Sequence, residues 1–136
     1  MAKQKTKILV VEDEESLLYL YGMKLEQSGF EVIKASNGRE GLSLAQLEMP
    51  KLILLDILMP DVDGYEMLAG LKKNEKTKNI PAIIFSNLSQ KEEIEKGLKL
   101  GAKDFIIKTS LTPAELEHKV KEYLSAGKAG LKNKKK

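Results

Sequence analysis

Five short apolar runs recur along the chain: Lys7–Val11, Glu31–Ala35, Leu52–Asp56, Pro81–Ser86 and Asp104–Lys108. Two of them, Ile8-Leu9-Val10-Val11 and Leu52-Ile53-Leu54-Leu55, have no polar residue inside and end abruptly in carboxylates, Glu12-Asp13 and Asp56. Uninterrupted runs of this length suit strands buried on both faces, as in a parallel sheet under helices. Between the runs lie amphipathic segments at about Glu15–Ser28, Gly38–Glu48, Gly64–Lys73, Lys91–Leu100 and Pro113–Ser125. In the fourth, Ile94, Gly97 and Leu98 share a face, and Glu92, Glu93, Glu95, Lys96 and Lys99 cover the rest. Asn37-x-x-Glu40, Ser89-x-x-Glu92 and Thr112-x-x-Glu115 read as helix caps, and Pro113 stands where a first helical residue belongs. Gly29 and Gly101 follow helical segments and suit left-handed C-terminal caps. Strict alternation of strand and helix predicts right-handed crossovers and a parallel sheet covered on both faces, a (βα)5 three-layer α/β sandwich.

At 136 residues the chain fits one domain with a real core. It has no Cys, which excludes disulfides and thiolate metal sites and is compatible with a reducing cytosol. The N-terminus lacks the apolar stretch of a secretory signal, and no run approaches the ~20 residues of a membrane span, so a cytoplasmic location is expected. The net charge of +3 misleads. Between Lys7 and Ala126 there are 16 basic and 20 acidic residues, and the excess of lysine sits at the two ends. A basic patch for nucleic acid is therefore not expected of the fold, nor is membrane binding. Residues 1–126 read as the domain, and 127–136 as a lysine-rich flexible tail or linker remnant.

In doubly wound sheets ligands bind beyond the carboxyl ends of the strands. Glu12, Asp13 and Asp56 would share that pocket, where crowded carboxylates repel and a hard divalent cation, Mg²⁺ or alternatively Mn²⁺, relieves the repulsion. Glu14 and Glu15 are explained by the helix dipole alone, and Glu12-Asp13 taken alone fit either role. An apolar run ending in Asp also occurs in P-loop enzymes, but G-x-x-x-x-G-K-[ST] is missing. Aligning Gly64 with the EF-hand glycine puts Met59 and Gly70 where carboxylates are needed, so that reading fails too. Ser86 and Lys108 end the last two runs on the side of Asp56, offering a hydroxyl and an ammonium to an anion. Together these residues complement a metal-bound phosphoryl group.

In the acid pair Glu12-Asp13, Asp56 within Leu54-Leu55-Asp56-Ile57-Leu58-Met59-Pro60-Asp61-Val62-Asp63-Gly64, Ser86, and Gly101-Ala102-Lys103-Asp104-Phe105-Ile106-Ile107-Lys108, the chain resembles a response-regulator receiver domain of two-component signalling. The likeness covers about Lys7–Leu124, with 30 residues from Asp56 to Ser86 and 22 from Ser86 to Lys108. It implies a flavodoxin-like fold with strand order 2-1-3-4-5. It implies Asp56 as phosphoacceptor for a partner histidine kinase or phosphotransfer protein. Glu12, Asp13, Asp56 and the Leu58 carbonyl would hold Mg²⁺, Lys108 would pair with Asp56, and Ser86 and Phe105 would switch. Phe105 also reads as an ordinary strand aromatic.

The chain departs from the family at three places. Thr109 stands where Pro often follows the lysine, so the Lys108–Thr109 peptide is expected to be trans. Asn87 is larger than usual and narrows access. Leu58 and Leu88 flank the same entrance and cannot position a water, which implies a long-lived acyl phosphate. The resulting expectation is a phosphorylation switch, not a metabolic enzyme, that acts through protein–protein affinity as a monomer or phosphorylation-dependent dimer. The rivals are a phosphorylation-independent adaptor, a receiver cut from a larger regulator with an output domain, and a Mg²⁺-dependent phosphatase. The last would carry a second acid where Leu58 stands.

Overall fold

The computed structural model describes residues 5–133, with side chains through Ser125. Its strands β1 (Lys7–Val11), β2 (Glu31–Ala35), β3 (Leu52–Leu55), β4 (Ala82–Ser86) and β5 (Asp104–Ile107) are all parallel and run in the order β2-β1-β3-β4-β5. The apolar runs explain this order. β3 and β4 are buried along their whole length, and β1 is buried from Ile8 onward, as inner strands under two helical layers must be. β2 and β5 are partly exposed and take the edges.

The helices are α1 (Glu15–Gln27), α2 (Gly38–Glu48), α3 (Gly64–Lys73), α4 (Lys91–Lys99) and α5 (Pro113–Asn133). Alternate strand residues point to opposite faces. Ile8, Val10, Leu54, Ile83 and Phe85 join Leu18 and Leu25 of α1 and Leu116 and Val120 of α5. Leu9, Val11, Ile53, Leu55 and Ile84 join Ala45 of α2 and Met67, Leu68 and Leu71 of α3. The three-layer sandwich follows from that division.

Local chemistry sets most boundaries. Thr112 and Glu115 form the expected reciprocal cap on α5. Asn37 accepts from the Glu40 amide, but Glu40 turns to the amide of Ser36 and not to that of Asn37. The Ser89 cap is not formed: α4 starts after Gln90, with no side chain capping its first turn. A capping box not foreseen, Asp63 with Glu66, opens α3. Gly29 and Gly101 take φ of 98° and 111°, as left-handed caps require. The peptide after Lys108 is trans, and Lys108–Ser110 curl into a single 3₁₀ turn, so Lys108 falls just outside β5. Asp56 likewise lies one residue beyond β3. α5 does not stop at Ser125: its backbone is helical to Asn133, through much of the segment read as a tail. Ala, Leu and Lys cost a helix little, and each glycine about 1 kcal/mol. The end of that proposed tail, 134–136, lies outside the described residues.

Because all the strands are parallel and each is followed by a helix, the helix N-termini gather at the carboxyl end of the sheet. First turns carry Glu15, Glu40, Glu66, Glu92, Glu93 and Glu115, and last turns carry Lys24, Lys72, Lys73, Lys96 and Lys99. Charge is therefore segregated along the sheet axis in the sense that helix dipoles favour.

Candidate functional site

Strand register assembles the site. Val11 pairs with Leu55, so Glu12 and Asp56, one residue on, leave the sheet side by side. Leu55 pairs with Ile84 and Ser86 with Ile107, which brings Ser86 and Lys108 to the same rim. One carboxylate oxygen from each of Glu12, Asp13 and Asp56 lies within 4.8 Å of the other two. Glu12 and Asp56 are buried and Asp13 is exposed, which leaves the cluster open on one side.

The Lys108 ammonium is buried between two carboxylates, 2.7 Å from Asp56 Oδ2 and 2.5 Å from Glu12 Oε1. Burial alone would lower its pKa, but the hydrogen bonds and charges of Asp56 and Glu12 hold it above the ordinary lysine value. Burial pushes Glu12 above the usual carboxylate range despite Lys108 and the Glu14 amide on its Oε2. The remaining Asp56 oxygen, Oδ1, accepts from the amide of Ile57 at 2.7 Å, with that of Leu58 at 3.4 Å. One Asp56 oxygen is thus held by Lys108 and the other by its own loop.

Three acidic ligands on one small pocket fit a hard cation that takes oxygen donors. The loop after β3 is pinned to that pocket. The Gly64 amide donates to the Ile57 carbonyl at 3.0 Å, and a Cβ at Gly64 would stand 2.2 Å from the Asp56 carbonyl oxygen. Both atoms belong to backbone, so Gly64→Ala must displace the loop. A loss of about 1–3 kcal/mol or more is expected in denaturant unfolding, against about 1 kcal/mol for Gly29→Asn, where φ of 98° strains a side chain but no atom stands in its way.

Ser86 is fully buried, with its Oγ 3.3 Å from the Leu88 amide. Phe105 is half-buried and packs beside Gly97 of α4. Leu58 is 56% exposed and lines, with Leu88, a shallow cavity of about 510 Å³ beside the pocket. Asn87 is exposed between Ser86 and Leu88. Two contacts escaped the sequence reading. The Glu12–Lys108 bond joins residues 96 apart, and the Tyr65 hydroxyl reaches Glu93 across 28. No local pattern signals either one.

A parallel α/β sandwich with three acids, a hydroxyl and a lysine gathered at its strand ends is a domain of the doubly wound class with one polar pocket at the carboxyl end of the sheet. The chain matches the response regulator receiver domain over residues 8–121, and it belongs to that family, the receiver of two-component signal transduction. It is 39% identical over 124 residues to the probable transcriptional regulator ycf27 of Cyanophora paradoxa, covering 91% of this chain and 50% of that one. To protein PilH of Pseudomonas aeruginosa it is 36% identical over 102 residues, covering 75% and 84%. A CheY-like receiver domain of Methanospirillum hungatei superimposes with a TM-score of 0.85 at 30% identity, covering 93% of this chain and 99% of that one. The chain spans about half the length of ycf27 and most of PilH. The family is one of signalling domains, not a classical enzyme family. Among the described residues no helix is long and apolar enough to cross a membrane.

Proposed function

We propose that Asp56 is the phosphoacceptor and that Glu12, Asp13, Asp56 and the Leu58 carbonyl hold Mg²⁺. The observation that carries this reading is the Lys108 ammonium, shared by Glu12 and Asp56 within three clustered carboxylates. An Asp56 oxygen attacks the phosphorus of a phosphohistidine on a partner kinase or phosphotransfer protein. The O–P bond forms, the P–N bond breaks, and its electron pair leaves with the imidazole. Bound Mg²⁺ supplies charge neutralisation for two anions brought together. Lys108 keeps one Asp56 oxygen engaged, and the loop amides orient the other. After transfer Lys108 moves to a phosphoryl oxygen. The Ser86 hydroxyl, now facing the Leu88 amide, bonds a second, and Phe105 responds beside α4. Slow self-dephosphorylation is the only turnover expected.

The test is intact-protein mass after incubation with acetyl phosphate, with and without Mg²⁺. One phosphoryl group gained only with Mg²⁺ supports the reading; none gained sinks it. Placing Asn at Leu58 and Gln at Leu88 is expected to shorten the phosphoryl lifetime by about tenfold, the equivalent of one well-placed hydrogen bond to water. An unchanged lifetime would remove the apolar entrance as its cause.

For output we favour a change in protein–protein affinity of a cytoplasmic domain. Action through an attached domain is the second reading, and the half-length span on ycf27 favours it.

A further inference from the structure

Tyr65 follows Gly64, the residue whose backbone lies against the Asp56 and Ile57 peptides, so its ring is placed directly from the phosphoacceptor loop. The ring is buried, and its hydroxyl crosses to the first turn of α4, 2.7 Å from Glu93 Oε1 and 2.9 Å from the Glu93 carbonyl oxygen. A tyrosine has one proton to give, and the charged carboxylate is the stronger acceptor. Burial, followed by the hydrogen bond and charge of Glu93, pushes the hydroxyl pKa far up, so this proton stays on oxygen at any working pH. The Lys96 ammonium lies 4.3 Å from the ring centroid and closes the arrangement from the next turn.

α4 itself buries little of its surface. Its first turn has no side-chain cap, and Gly97 is its one buried residue, seated on Ile84 and Phe105. Only the loop Asn87–Gln90 separates it from Ser86. The Tyr65–Glu93 bond therefore bridges two of the segments that leave the pocket, one from Asp56 and the other from Ser86.

We propose that Tyr65 is a positioning residue whose hydroxyl ties the phosphoacceptor loop to α4 through Glu93, with Lys96 over the ring, and so sets how readily α4 leaves its seat when the site is phosphorylated. The coupling rests on Asp56 being the phosphoacceptor; the tie itself does not. Any movement of Ser86 toward a phosphoryl oxygen draws on the loop that leads into α4, and the Tyr65–Glu93 bond opposes it.

The experiment is amide hydrogen exchange over Lys91–Lys99, before and after acetyl phosphate with Mg²⁺, with intact mass read on the same samples. The variants are Tyr65→Phe, Glu93→Ala and Glu93→Gln. Tyr65→Phe is expected to speed α4 exchange in the unmodified domain by about tenfold, leave α1 and α5 unchanged, and shrink the further change on phosphorylation. Glu93→Ala, which leaves the hydroxyl the backbone carbonyl at 2.9 Å, is expected to do so to a smaller extent. Glu93→Gln keeps an acceptor for the hydroxyl and should stay near wild type. Unchanged α4 exchange in Tyr65→Phe, or equal acceleration in every helix, overturns the tie. Faster α4 exchange with an undiminished response to phosphorylation overturns the coupling alone. A wild type that gains no phosphoryl group fails at the phosphoacceptor, and the unmodified samples still decide whether the tie exists.

Discussion

Asp56→Asn is expected to take up no phosphoryl group under conditions that modify the wild type, while remaining folded. In the proposed reaction the nucleophile is a carboxylate oxygen, and the neutral amide that replaces it cannot form an acyl phosphate. Its carbonyl can still accept the Ile57 amide that now reaches Asp56 Oδ1 at 2.7 Å, and Lys108 keeps Glu12. The fold should therefore survive, and loss of the adduct can be read as loss of chemistry. Intact mass gives the result, and far-ultraviolet circular dichroism checks the fold. An adduct that persists in the variant would place the phosphoryl group elsewhere and end the assignment.

Lys108→Ala is expected to lower the stability of the metal-free domain by about 3–5 kcal/mol, the cost of leaving buried charge without its partner. Lys108 is buried, as are Glu12 and Asp56, so solvent cannot take over the role of the ammonium. With it gone, two carboxylates face each other in a pocket that has already pushed Glu12 upward. Mg²⁺ should then stabilise Lys108→Ala much more than wild type, since it would supply the only compensating positive charge. Urea unfolding with and without Mg²⁺ checks both parts. A metal-free Lys108→Ala as stable as wild type would show that the ammonium is not what holds the carboxylates together.

Much of the molecule could be read along the chain. The alternation of apolar runs and amphipathic segments leads to the five strand–helix units, and Asp56 and Lys108 fall within one residue of the strand ends expected of them. The Thr112–Glu115 cap and the glycines at 29 and 101 act through neighbours a few residues away, which is why short patterns reveal them. Ser89 shows where such patterns stop. It has the spacing of a cap, yet the chain enters α4 one residue later, where loop geometry takes precedence over a weak local preference. Net charge misled for another reason: a sum over residues has no position, and the excess of lysine lies at the two ends of the chain, outside the body of the domain.

What the amino-acid order determined by itself is therefore the class of fold, the buried strands and the identity of the acids at their ends. Only the tertiary structure decided that Lys108, expected beside Asp56, would also bind Glu12, and that Tyr65 would reach Glu93. Those pairings depend on strand register and on how far each helix turns over the sheet. Both are set by packing across the whole core, where residues distant in sequence meet at distances no local spacing encodes.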